Sequence, residues 1–390
     1  MKDYKVPAVV IGGGINGLGI IRNLGRNGID VYCAVENKDD IAIYSKYCKG
    51  YFASLGVENN LQTLDGFLKQ FEKRLTSKAV LFPTSDLSTL NVSKLIGGLD
   101  SYLVTMPKHE VLETLIVKRR FYESLERMGI PHAITLYPER ENFENIKKKL
   151  RYPVFIKPSV SPIFAERFPN KKGFIANSER ELRHYLLLVK EYQIDVMIQE
   201  IIQGPTENHY TISGYFNKNS KPIILFAKNS LRAPSFFSNP SAGVSIPISK
   251  VSEIKDITVK YLTSINYCGL FHAEFKRDTR DNVYKFTEVN ARSWWNNYFP
   301  SVCGVNVILT AYLEAIGEEV ESMEKYESGI YNIYLLRDLM TTFSKDADLN
   351  QRFSFRKRLP SYMGKKYYSE YERDDPKPFF VSLLNLVTSL

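Results

Sequence analysis

The chain is poor in cysteine. Its four cysteines, Cys33, Cys48, Cys268 and Cys303, lie far apart in 390 residues, and no two form a CxxC pair. That spacing supports neither a disulfide framework nor a zinc site, and reduced thiols in a cytoplasmic protein are expected. Long apolar runs are also missing. None reaches the ~18 residues that span a bilayer. The N-terminal apolar stretch breaks at once into Gly12-Gly13-Gly14, so it does not read as a signal peptide. The sequence has no internal repeat, no low-complexity tract and no recognisable nucleic-acid module. Its densest basic clusters, Lys147-Lys148-Lys149 and Arg352 to Arg358, interleave with nothing that reads as one.

What remains is an ordinary globular composition, 44% hydrophobic and 24% charged, in a chain long enough for two or three domains. The formal charge of +9 is spread along the sequence. A dispersed positive balance suits a protein that handles polyphosphates or acidic small molecules, and no nucleic-acid or membrane partner is expected.

Residues 7–35 read as strand, glycine turn, helix and strand. Further buried strands follow at Lys78 to Pro83 and Tyr102 to Thr105. Strands alternating with helical segments predict a doubly wound parallel sheet over roughly the first 110 residues. Beyond it, the pattern predicts a helix over Thr114 to Met128 and a strand over Pro153 to Pro158. A helix from Ser178 to about Lys190 opens on a Ser178-x-x-Glu181 capping box. Strands at Val196 to Ile202 and a hairpin turning at Asn217 to Ser220 come next. After residue 320 regular alternation fades and Tyr, Arg and Lys dominate.

Candidate chemistry concentrates in residues 272–297, where His-Ala-Glu-Phe-Lys-Arg-Asp precedes Phe-Thr-Glu-Val-Asn-Ala-Arg-Ser-Trp-Trp. Alternate positions on a strand share a face, so Glu288, Asn290 and Arg292 project together. Pairing of the two runs through Asp278 to Asn282 would let Glu274 join them. Two carboxylates and an amide oxygen are hard ligands suited to Mg²⁺ that substrate phosphates also hold. A solvated edge hairpin is the alternative for such a run. Its apolar flanks, Phe286, Val289 and Trp294-Trp295, favour a site.

Lys157 ends an apolar strand, where a lysine typically meets phosphate as a point charge. Lys118 begins a helix ahead of Gly129-Ile130-Pro131. Gln199 to Glu207 is a strand running into a loop, where Glu200 and Glu207 could accept from an adenine amine and ribose hydroxyls; taken singly, either glutamate reads as an ordinary solvated surface residue. Gly12-x-Gly14-x-x-Gly17 with Glu36 matches a dinucleotide fingerprint, though the glycines would serve a tight turn without any ligand.

The order of these stations resembles the ATP-grasp superfamily over about residues 1–320, and most nearly its carboxylate–amine ligases of the D-aspartate ligase kind. The resemblance implies a pre-ATP-grasp α/β domain (1–115), a lid subdomain (116–195), a larger α+β subdomain carrying metal and nucleotide (196–320) and a C-terminal extension (321–390). ATP with Mg²⁺ or Mn²⁺ would be the cofactors. Lys118 and Lys157 would hold phosphates, Glu200 and Ile202 would border adenine, and Glu207 would take the ribose. Glu274, Glu288 and Asn290 would bind metal, Arg292 would steady the oxyanion, and Lys228 and Arg232 would assist at the γ-phosphate or carboxylate. The implied reaction is ADP-forming amide synthesis through an acylphosphate on an amino acid or small carboxylate, in a protein that could assemble with copies of itself. The lid loop Ser159 to Lys172 departs from the family in having no glycine before Gly173, and Ala291 replaces a common proline. A non-catalytic nucleotide-binding protein of this fold and an NAD(P)-dependent oxidoreductase stand as alternatives.

Overall fold

The structure is a computed structural model, and it describes residues 4–169, 171–234, 238–323, 325–343 and 355–388. The chain forms two compact units. One comprises Met1–Leu112, Tyr210–Ala273 and Asn290–Leu390, the other Glu113–His209 and Glu274–Val289.

The first unit opens with β1 (Ala8–Ile11), β2 (Val31–Val35), β3 (Cys48–Ala53), β4 (Ala79–Pro83) and β5 (Tyr102–Leu103) in the order β3-β2-β1-β4-β5. All neighbours are parallel. The apolar run of β1 explains the wrapping. Ala8 and Val10 pack with Leu18, Ile21 and Leu24 of the helix Ile15–Arg26. Val9 and Ile11 pack with Leu64, Leu68 and Phe71 of the helix Leu61–Glu72. Successive side chains point to opposite faces, so a strand apolar throughout needs a helix on each side. The doubly wound sheet expected from the sequence is present.

The second unit holds β6 (Thr135–Leu136), β7 (Val154–Pro158), β8 (Phe174–Ala176) and β9 (Val196–Glu200) in the order β6-β9-β7-β8, all antiparallel. Val154, Ile156, Phe174, Ala176 and Ile198 meet Ile146, Leu182 and Val189 from the helices Phe143–Lys149 and Glu179–Glu191. The predicted capping box is half formed. Ser178 accepts from the Glu181 amide, while the Glu181 carboxylate accepts from the Asn177 amide instead of that of Ser178. The single helix predicted over Thr114 to Met128 is two, His109–Ile116 and Lys118–Met128, because Val117 is extended. That break makes Lys118 the first residue of a helix. The lid loop of the sequence reading contains the helix Ser161–Arg167, and its residue 170 lies outside the described residues.

A seven-stranded sheet contains β10 (His209–Phe216), β11 (Pro222–Arg232), β12 (Ala242–Ser245), β13 (Gly269–Arg277), β14 (Tyr284–Asn290), β15 (Tyr331–Ile333) and β16 (Lys366–Tyr368), ordered β14-β13-β10-β11-β12-β15-β16. The division between the units falls within β13 and β14. Its last two strands come from the region where alternation fades, so the C-terminal segment is part of the first unit's sheet. Two buried ion pairs fasten that segment. Arg22 is fully buried, with Nε 2.9 Å from Asp375 Oδ2. Arg232 donates Nε and Nη2 to the two carboxylate oxygens of Asp338 at 2.9 and 3.0 Å. Removing one partner of such a pair typically costs about 3–5 kcal/mol.

Candidate active site

In the second unit, Lys118, Lys157 and Glu288 meet around a residue the sequence reading missed, Tyr122. One turn after Lys118, Tyr122 donates its hydroxyl to the Thr287 carbonyl at 2.7 Å. It also accepts from Lys157 Nζ at 2.9 Å, and that ammonium lies 4.8 Å from the ring centre. Lys118 Nζ stands 2.7 Å from Glu288 Oε1. Thr287 reaches the other way and donates its hydroxyl to the Glu274 carbonyl at 2.9 Å, which sets both acidic residues on adjoining stretches of β13 and β14. No carboxylate among the described residues pairs with Lys157. Tyr122 carried no sequence signal.

Glu200, expected beside an adenine, is buried at the end of β9 and bound to Arg280. Arg280 also grips Asp278, to which Lys285 donates at 2.9 Å. Burial pushes the Asp278 carboxyl up, but Arg280 and Lys285 outweigh it and hold the group well below the usual carboxylate range. This network braces the turn Asp278 to Asn282 and the strand end carrying Ile202, which is buried. Glu207 lies half-buried in a short 3-10 turn, Thr206–Asn208. Glu200 is therefore not the solvated surface residue that its sequence context allowed.

In the first unit, Arg292 is held on three sides. Its Nε donates to Asp86 Oδ1 at 2.7 Å, Nη1 to the Ser293 carbonyl at 2.9 Å and Nη2 to Asn290 Oδ1 at 3.0 Å. Asp86 opens the helix Asp86–Leu95, whose cap is a Ser85–Ser88 capping box. An acidic residue is favoured in that first turn. Asn16 donates to the Thr84 carbonyl at 2.8 Å and the Ser293 carbonyl at 2.9 Å, and Asn297 donates to Asn16 Oδ1 at 2.8 Å. These amides tie the residues after Arg292 to the carboxyl ends of β1 and β4, the edge of an open α/β sheet where ligands bind. Gly17 and Gly19 permit the approach, since a Cβ would stand 2.1 Å from the Gly12 carbonyl oxygen and 2.4 Å from Asn297 Oδ1 respectively. Asn16 and Asn297 carried no sequence signal.

Lys228 is buried on β11, in register with Thr211 and Ser245. Arg232 differs from its expected role at a γ-phosphate or carboxylate. It is buried and bidentate to Asp338, which also accepts from Ser241 and Tyr362 at 2.7 Å. Residues 235–237, shortly after Arg232, lie outside the described residues.

The glycine turn does not look like a pyrophosphate cradle. Burial, then Asp40 and Glu36, push the Glu58 carboxyl up to about 7, and the Gly13 amide bonds to it. Three acidic groups at the turn would repel a diphosphate. Among the described residues no three His, Cys, Asp or Glu side chains converge as a metal-binding group, and no helix is long and apolar enough to cross a membrane. The expected metal set asks for two carboxylates and an amide.

No family model matches the chain. Over 207 residues it is 26% identical to the D-aspartate ligase of Enterococcus faecium, spanning 51% of this chain and 49% of that one. A second relative is the D-alanine–D-alanine ligase of Acetivibrio thermocellus, 23% identical over 46% of this chain and 50% of the relative. The chain thus matches about half the length of each of these curated relatives. Among solved structures it is similar to the biotin carboxylase domain of Hydrogenobacter thermophilus 2-oxoglutarate carboxylase, in complex with MgADP, ADP and bicarbonate. That likeness has a TM-score of 0.65 at 18% identity and covers 85% of this chain and 74% of that one. The chain has the ATP-grasp fold.

Proposed function

We propose that the chain is an ATP-dependent, ADP-forming carboxylate–amine ligase that makes an amide bond through an acylphosphate. The observation that carries the reading is the grouping of Lys118, Lys157 and Glu288 around Tyr122. Lys157, a half-buried cation with no carboxylate partner among the described residues, is what a polyphosphate requires. Lys118, paired with Glu288, is positioned to exchange that carboxylate for a phosphate oxygen when nucleotide arrives. The names of the curated relatives support a ligase, and the MgADP bound to the biotin carboxylase domain supports the nucleotide and metal.

In this reading a substrate carboxylate oxygen attacks the γ-phosphorus of ATP and ADP leaves. The amine then attacks the acyl carbon and inorganic phosphate leaves with the shared oxygen. Lys118 and Lys157 neutralise phosphate charge, and Arg292, fixed by Asp86 and Asn290, steadies the oxyanion of the adduct. Lys228 would assist at the γ-phosphate. Glu200 and Ile202 would border the adenine and Glu207 the ribose. Glu274, Glu288 and Asn290, a hard-oxygen donor set, would hold Mg²⁺ or Mn²⁺, which when bound offsets charge on the phosphates. Residues 116–195 would serve as the lid, and the protein would work in the cytoplasm on small molecules.

The test is phosphate release from Mg-ATP across a panel of carboxylates and amines, with ADP and AMP separated. Carboxylate-dependent ADP formation supports the proposal. NAD(H) binding without ATP turnover would replace it with the oxidoreductase reading.

A further inference from the structure

The first unit contains a cavity of about 30 Å³ lined by Pro83, Val104, Met106, Leu270, Arg292 and Ser293, among others. Its position is that of a ligand site, because Pro83 is the carboxyl end of β4. Its walls are mostly apolar, and among the described residues lining it Arg292 alone is charged. Two polar residues, Ser293 and Arg292, belong to the lining. The Ser293 hydroxyl is buried, with no hydrogen-bond partner. A buried polar atom left unpaired in a native structure asks for an explanation, and an absent ligand is one. Arg292 uses one N–H of each of its three nitrogens on Asp86, Ser293 and Asn290. A guanidinium has five N–H groups, so each terminal nitrogen keeps one that can donate to a carboxylate.

We infer that this cavity is the side-chain pocket for the carboxylate substrate, and that it selects a small, uncharged amino acid or similar small acid. The inference rests on the ligase reading and adds the substrate class to it. A carboxylate on the free fork of Arg292 puts the rest of the molecule into the cavity. One water-sized group occupies about 10–15 Å³ on this measure, so the cavity admits up to about two or three non-hydrogen groups, the size of the 2-aminobutyrate and valine side chains, with alanine smaller still. An acidic side chain would be desolvated among apolar walls with no second cation to receive it. A side chain the size of leucine would overfill the space.

The experiment traps the acylphosphate with hydroxylamine. Its nitrogen attacks the acyl carbon, phosphate leaves, and the hydroxamate is read by colour. The full chain is given Mg-ATP and, one at a time, both enantiomers of alanine, 2-aminobutyrate, valine, leucine and aspartate, with Mg-ATP affinity measured alongside. The three smaller acids should exceed leucine and aspartate by at least about tenfold, the discrimination one or two methylenes achieve in a fitted pocket. Met106→Ala should enlarge the pocket and raise the leucine rate relative to alanine, a gain that misfolding cannot produce. Equal rates across the panel, a preference for aspartate or leucine, or no shift in Met106→Ala would overturn the pocket assignment while leaving the ligase reading in place. Mg-ATP binding without hydroxamate from any of these acids would also overturn it. Absence of both nucleotide binding and hydroxamate would sink the ligase reading itself.

Discussion

Lys118 and Glu288 form an ion pair 2.7 Å long, although the sequence assigns one to a phosphate and the other to a metal. The pair couples the two assignments. In the proposed reading each residue would keep its partner's charge compensated until a polyphosphate and its cation offered both a better one. Both side chains are partly exposed, so exchange requires little rearrangement of the core.

The first prediction follows from that coupling. Glu288→Gln keeps the shape of the side chain and removes one negative charge. Turnover should fall by at least about two orders of magnitude, while thermal unfolding stays close to the parent. Near-normal turnover in a folded variant would remove Glu288 from the metal set.

Lys157 offers a cleaner probe of nucleotide binding, since its contact is the Tyr122 hydroxyl and ring and not a carboxylate. Lys157→Ala should weaken ATP binding by about tenfold to a hundredfold, the equivalent of a charge-assisted hydrogen bond of roughly 1.5–3 kcal/mol. Calorimetric titration with Mg-ATP measures it directly. Unchanged affinity would mean that Lys157 does not touch the phosphates.

For Arg232 stability, not catalysis, should respond. Arg232→Met strands the buried Asp338 carboxylate, and denaturant unfolding should show a loss of about 3–5 kcal/mol. Arg358, 3.4 Å from Asp338 Oδ2, keeps part of that charge compensated, so the lower end of the range is expected. Parent-like stability combined with lost turnover would return Arg232 to the catalytic group.

The acidic turn predicts a pH effect of definite sign. The folded Glu58 carboxyl is pushed up to about 7 by burial and then by Asp40 and Glu36, above its ordinary value of 4.5. Stability from this group is complete below the unfolded value and is lost as pH rises through about 7. Glu58→Gln should therefore melt higher than the parent at about pH 8.5 and close to it at about pH 4. A constant difference between the two would show that Glu58 does not titrate in that window.

How far the sequence reached depended on whether a signal was local. The parallel sheet was legible because β1, β2 and β4 are apolar throughout and a glycine turn follows β1. The hairpin at Asn217 to Ser220 was legible because its turn residues sit between alternating runs. Lys118, Lys157, Glu288 and Arg292 were legible because motif spacing marks them. Tyr122, Asn16 and Asn297 were not, since their partners lie far away in sequence and an isolated tyrosine or asparagine says nothing about which carbonyl it will meet. The same holds for Arg232, where an arginine at a strand end reads as a ligand until the distant Asp338 appears beside it. Strands β15 and β16, three residues each, are too short for alternation to register.

The central claim is that a substrate carboxylate, not water, takes the γ-phosphoryl group of ATP. It is tested most directly by labelling that carboxylate with oxygen-18 and examining the phosphate released from Mg-ATP by mass spectrometry. The ligase reading predicts one labelled oxygen in each phosphate, carried over when the amine displaces it from the acyl carbon. Unlabelled phosphate released at the same rate would mean simple hydrolysis and would contradict the account.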